Sequence, residues 1–183
     1  MATNGHYPAA TIRSLKPGVW APIPTFFEAG TEDLGNLLFS GNWRPLTHSI
    51  DIASFKAHVA RVAKAGVWPL IAGSMGEAIH LSVAERTKLI QTARQTLDAE
   101  GLVDVPIIAG TGGASTRETI QLTHSAAAAG ADYSIVIASG YFAGALASNR
   151  AALKAFFVEV AEKSPIPVMI YNCNFILSVG GRW

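Results

Sequence analysis

The chain has 183 residues, half of them hydrophobic and only 15% charged, with a formal net charge of +1. This suits one folded domain with a sizeable core and argues against a disordered chain. Near-neutral charge gives no reason to expect nucleic acid or an anionic membrane as partner, and the lone Cys173 excludes an internal disulfide or a cysteine-rich metal site.

Residues 1–17 form a polar N-terminal lead without the apolar run of a signal peptide. No segment has the length and apolarity of a membrane-spanning helix. The expected compartment is the cytoplasm; Arg13 and Lys16, in a stretch free of acidic residues, leave an organellar address open.

Val19 to Phe27 reads as a first strand, weakened by Pro22 and Pro24. A helix over Asp51 to Ala65 follows, with Phe55, Val59 and Val62 at helical spacing and Gly66 as its stop. Val67 to Ala72 is short and apolar, as a strand covered on both faces should be. Ser82 and Glu85 have the spacing of a capping box and open a helix carrying Leu89, Ile90, Ala93 and Leu97. Val105 to Ala109 is the third strand. Ser115 and Glu118 repeat the capping-box spacing, Gly130 closes the third helix, and Tyr133 to Ala138 forms the fourth strand. Leu153, Phe156, Phe157 and Val160 mark a fourth helix, and Ile166 to Tyr171 a fifth strand. Regular strand–helix alternation predicts a parallel sheet with right-handed crossovers.

Two segments stand outside this rhythm. Residues 31–50 make an overlong link, since links of this kind usually take about 2–6 residues. The tail 173–183 has no helix pattern where another helix is due.

The small and polar residues gather where strands end, which is where a βα barrel builds its site. Gly73-Ser74-Met75-Gly76-Glu77 follows the second strand. Its backbone amides and the Ser74 hydroxyl suit a carboxylate or phosphate, and the loop equally suits a tight turn with no ligand. Gly110-Thr111-Gly112-Gly113 matches neither the phosphate-loop nor the dinucleotide pattern and reads as a pocket floor. Tyr141 and Phe142 follow the fourth strand, and Tyr171 ends the fifth, where a phenol can relay protons. None of the five histidines is spaced as a metal pair. No metal and no cofactor is expected.

Taken together, PTFF (Pro24 to Phe27), GSMGE, GTGG, SGYF and IYN resemble the dihydrodipicolinate synthase and N-acetylneuraminate lyase superfamily, most of all its fungal 4-hydroxy-2-oxoglutarate aldolase-type members. The resemblance covers roughly residues 18–30 and 51–172. It implies a (β/α)8 barrel, usually a homotetramer, that runs class I aldolase chemistry through a lysine Schiff base with pyruvate or another small 2-oxo acid. It further implies that Ser74 and the Met75 backbone hold the substrate carboxylate, that Ser74 joins a proton relay, and that Tyr171 shuttles protons. Thr25, Thr111 and Tyr141 would shape or bind at the pocket. This chain has Met75 where the family often has threonine, and the second relay tyrosine of the synthases either falls at Phe142 here or is displaced to Tyr141. Cys173 follows Tyr171-Asn172 where the family usually has proline.

The expected fold class is therefore α/β, a partial (β/α)8 TIM barrel of about the first five βα units. The expected divisions are 1–17 as a lead, 18–172 as the partial barrel with an atypical insert at 31–50, and 173–183 as a non-matching tail. Barrels of this type run to about 250 residues. Lys16, Lys56, Lys64, Lys88, Lys154 and Lys163 all fall in predicted helices or the lead, so the Schiff-base lysine is expected to be missing and the chain inactive. Retained intron sequence or a misassigned gene structure would account for both the insert and the tail. Two other readings stay open: a non-catalytic fragment that depends on a full-length relative, and a flavodoxin-like ligand-binding domain with five parallel strands.

Overall fold

The computed structural model describes residues 12–28, 49–140 and 143–172. Its elements are β1 (Trp20–Pro22), α1 (Ile52–Lys64), β2 (Trp68–Ile71), a 3₁₀ turn (Ala78–His80), α2 (Val83–Ala99), β3 (Ile108–Gly110), α3 (Thr116–Ala128), β4 (Tyr133–Ile137), α4 (Ala143–Ser148), α5 (Arg150–Lys163) and β5 (Val168–Tyr171). The strands form one sheet in the order β1-β2-β3-β4-β5, every neighbouring pair parallel. A flavodoxin-like sheet would run 2-1-3-4-5. The strictly sequential order is that of consecutive barrel strands and overturns the doubly wound alternative.

Helices α1, α2, α3 and α5 form because each combines apolar residues at helical spacing with a side-chain cap. Asp51 caps α1 through the Ser54 amide at 2.9 Å, and Ser82 with Glu85 forms the full reciprocal box on α2. On α3 only half the expected box exists. Ser115 accepts from the Glu118 amide, but the Glu118 carboxylate turns to the Ala114 amide instead. Ser82→Ala should lower stability by about 1 kcal/mol in urea unfolding; an unchanged midpoint would show that this cap contributes nothing. Gly66 and Gly130 follow α1 and α3 with φ of 77° and 99°, the left-handed stop read from the sequence.

The core lies between helices and sheet. Phe55, Val59 and Ala63 of α1 and Leu89, Ile90, Ala93 and Leu97 of α2 pack with Ile71 and Ala109 from the strands and with Ile107 just before β3. Each large apolar side chain so buried stabilises the fold by roughly 2 kcal/mol relative to exposure. In β4, Ser134 and Val136 are buried while Tyr133, Ile135 and Ile137 are half-buried. Outer strand β5 is less covered: Ile170 is 59% exposed and Tyr171 38%.

Strand limits are where the structure departs most from expectation. β1 covers three residues, because Pro22 and Pro24 bring no amide to the ladder. Phe27 instead makes one antiparallel bridge to Ile50. β3 begins at Ile108 rather than Val105, since Pro106 has no donor and the Ile107 amide goes to the Asp132 carboxylate at 2.9 Å. β5 begins at Val168, just after Pro167. The short helix α4 carries no periodic signal and was not expected.

The flanks of the expected insert lie side by side. The Glu28 amide donates to Ser49 O at 2.8 Å, and the Asp51 amide to Phe26 O at 2.7 Å. Residues 29–48 and the tail 173–183 lie outside the described residues.

The described part of the N-terminal lead is tied into the fold. The Arg13 main-chain amide donates to Asp132 Oδ1 at 2.9 Å, and its guanidinium reaches the same oxygen at 3.2 Å. Arg13 Nε donates to Val103 O, and the Tyr133 hydroxyl donates to Arg13 O at 2.9 Å. Lys16 stands over the Trp68 ring. Trp68 and Tyr133 are the first residues of β2 and β4, so this strap crosses the amino-terminal ends of the strands.

Candidate active site

All five strands are parallel, so their carboxyl ends share one edge of the sheet. The loop after β2 dominates that edge. Ala72 and Glu77 both take left-handed backbone, φ 53° and 54°, and between them the chain folds on itself. The amides of Gly76 and Ala78 donate to Gly73 O, and that of Glu77 to Ser74 O. Among the described residues the Ser74 and Met75 amides and the Ser74 hydroxyl have no hydrogen-bond partner. Both residues are exposed. Two adjacent free N–H groups beside a hydroxyl form a compact receptor for a carboxylate.

Thr25, three residues beyond β1, fixes this loop. Its hydroxyl donates to Gly76 O at 2.7 Å in a buried position. Thr25 therefore acts through the loop's position, its own hydroxyl being committed. Thr111 is 1% exposed; its hydroxyl pairs with Ser134 Oγ and its amide donates to Ile135 O. Its contribution to a pocket is shape alone. Tyr171 ends β5, in register with Ile137 of β4. Three strand spacings separate β5 from β2, about 14 Å along the sheet. Tyr141 and Phe142 lie outside the described residues.

Two polar residues near this edge were not anticipated. Arg86, on α2, donates to Ala78 O at 2.6 Å and Gly112 O at 3.2 Å. A signal for it exists: Arg86 precedes Leu89, Ile90 and Ala93 by three, four and seven residues, so it stands on the apolar stripe of its helix. Ser139, the first residue of the SGYF motif just beyond β4, is 7% exposed, and among the described residues its hydroxyl meets no partner. The motif marks its place but assigns it no role.

Of the histidines, His58 packs on Phe26 and contacts Arg61 at 2.8 Å. Burial and then the nearby Arg61 charge hold its pKa below the usual histidine value. A groove of about 370 Å³ runs between α1 and α2, lined by Lys56, Ala60, Gln95 and Glu100 among others. It lies on the outer helix layer, away from the strand ends. All six lysines of the chain fall on helices or in the N-terminal strap: Lys16 in the strap, Lys56 and Lys64 on α1, Lys88 on α2, Lys154 and Lys163 on α5.

Sequential parallel strands with a receptive loop at their carboxyl ends define the first five units of a (β/α)8 barrel. The chain belongs to the dihydrodipicolinate synthetase family, whose model matches residues 49–179. It is 42% identical over 161 residues to an Emericella nidulans protein named "Probable 4-hydroxy-2-oxoglutarate aldolase, mitochondrial", covering 87% of this chain and 46% of that protein. To the L-threo-3-deoxy-hexylosonate aldolase of Aspergillus niger it is 40% identical over 159 residues, covering 86% of this chain and 42% of the relative. A prophage protein of E. coli K12 from the dihydrodipicolinic acid synthase family, solved in complex with pyruvate, superposes with a TM-score of 0.67 at 29% identity, covering 90% of this chain and 47% of that one. The chain thus spans under half the length of the curated relatives it matches. The family and fold read from GSMGE, GTGG, SGYF and IYN are confirmed.

Proposed function

We propose that this chain carries the 2-oxo-acid carboxylate site of a class I aldolase or lyase. The single observation that carries this reading is the pair of unpartnered amides at Ser74 and Met75, beside the Ser74 hydroxyl, on the strand-end edge. A pyruvate carboxylate would accept from both amides. Its keto carbon would then lie over the carboxyl ends of the neighbouring strands, toward Tyr171. The pyruvate bound to the E. coli relative and the aldolase names of the fungal relatives support the substrate class.

Class I chemistry needs an amine that attacks the keto carbon and an imine that accepts electrons. No lysine of this chain stands at a strand end, so we propose that the chain binds the 2-oxo acid without forming the imine. The proposed divisions are 18–172 as the partial barrel, 31–50 as an insert and 173–183 as a separate tail, with a family homotetramer once a barrel is complete. The mitochondrial name of the fungal relative supports an organellar address beside the cytoplasmic one.

The test is a pyruvate titration of the isotope-labelled chain, followed by borohydride treatment and intact-mass measurement. Pyruvate should move the Ser74 and Met75 amide signals and leave the mass unchanged. Unmoved signals would refute the carboxylate site; a covalent adduct on any lysine would refute binding without imine formation.

One observation favours a second reading, dependence on a full-length relative. Among the described residues β5 is the outer strand of the sheet, with Ile170 59% exposed, and strands at a sheet's edge can recruit other chains. Solubility that rises only on co-expression with a longer homologue would support it; a soluble monomer alone would not.

A further inference from the structure

The guanidinium of Arg86 sits between two of the loops that build the strand-end edge. It leaves α2 at the fourth helical position, reaches Ala78 O in the turn after β2, and reaches Gly112 O in the loop after β3. It is half-buried, and its Nε–H is buried without a partner. An arginine held in this way satisfies carbonyls at the cost of an orphaned donor. Burial pushes its pKa down and the Glu118 carboxylate pushes it back up. Glu118 itself accepts from the Ala114 amide, next to the Gly110–Gly113 loop. The carbonyls that Arg86 holds belong to the same short segments as Ser74 and Met75 on one side and Thr111 on the other.

We infer that Arg86 is a positioning residue: its two-ended grip on Ala78 O and Gly112 O sets the β2 loop against the β3 loop and keeps the Ser74 and Met75 amides aimed at the substrate carboxylate. The last clause rests on the function proposed above; the grip itself does not. A planar fork can bridge two carbonyls, whereas a lysine ammonium is a point charge on a flexible stem. Helix stabilisation alone would need no such bridge.

The experiment compares the full chain with Arg86→Lys and Arg86→Ala. Two quantities are measured on each: amide hydrogen exchange, and pyruvate affinity by amide shifts, with thermal unfolding as the check on folding. The exchange probes are the bonded amides Gly76, Glu77 and Ala78 in one loop and Gly113 and Ala114 in the other. Arg86→Lys should speed exchange in both loops together while α2 beyond Leu89 keeps its protection, and should weaken pyruvate binding about tenfold. Arg86→Lys that leaves both loops as protected as the wild type overturns the inference. So does faster exchange spread evenly along α2, which would mark a merely structural role. If Arg86→Ala unfolds the chain, Arg86→Lys alone decides. If the wild-type chain binds no pyruvate, the carboxylate reading fails and the exchange pattern still judges the grip.

Discussion

Gly110→Ala is expected to destabilise the chain by about 4 kcal/mol or more. A methyl group at this position would lie 2.0 Å from the carbonyl oxygen of Ala72, 2.7 Å from its carbonyl carbon and 3.1 Å from Gly73 Cα. Those are backbone atoms of the neighbouring strand end, so no side-chain rotation relieves the overlap. The backbone there is already constrained, because Ala72 has φ 53°, a conformation that costs a residue with a Cβ about 1 kcal/mol. Relief would require β2 and β3 to part, and the Ser74–Met75 receptor would move with them. Gly66→Ala is the control. Its φ is +77° and a methyl there meets nothing within 4 Å, so it should cost only the left-handed backbone penalty, about 1 kcal/mol. Urea unfolding followed by circular dichroism measures both. Equal midpoints for the two variants would mean that the close approach of the strand ends is not what Gly110 serves.

Local chemistry made most of the helices legible. The spacing of Phe55 and Val59, the Ser82–Glu85 box and the glycines at 66 and 130 each act within a few residues, so they can be read without the fold. Strand limits were less legible because distant partners decide them. The Ile107 amide leaves the ladder for a carboxylate 25 residues away, and no local pattern announces that. Helix α4 lacks a periodic stripe altogether. At the site, the loops were legible and the side-chain roles were not. Thr111 follows a glycine-rich rhythm that suggests a ligand. Yet it has the same strand parity as Ile107 and Ala109 of the core, and so turns inward to Ser134. Arg86 does carry a local signal, its place on the apolar stripe of α2, but its role depends on carbonyls in two separate loops, Ala78 O and Gly112 O, that no local pattern brings together.

Asp132→Ala is expected to cost about 3 kcal/mol, more than the loss of its cationic partner. The carboxylate is 2% exposed and organises two chain segments at once. Oδ2 takes the Ile107 amide at the entrance to β3, while Oδ1 takes both the amide and the guanidinium of Arg13. Truncation leaves a buried amide unpaired and releases the strap that crosses the amino-terminal ends of the strands. Asp132→Asn should be nearly as costly, because one of its two positions becomes an NH₂ facing a donor. Arg13→Ala should cost only about 1 kcal/mol. Its side chain is 28% exposed, and the main-chain amide of residue 13 can still donate to Oδ1. The asymmetry follows from burial, since water can replace the guanidinium more easily than it can reach the Ile107 amide. A double-mutant cycle over the two positions tests this, with a coupling smaller than the Asp132→Ala loss as the expected result. If Arg13→Ala proves as damaging as Asp132→Ala, the ion pair rather than the Ile107 amide holds the strap. The described lead would then be fastened by charge and should loosen in high salt.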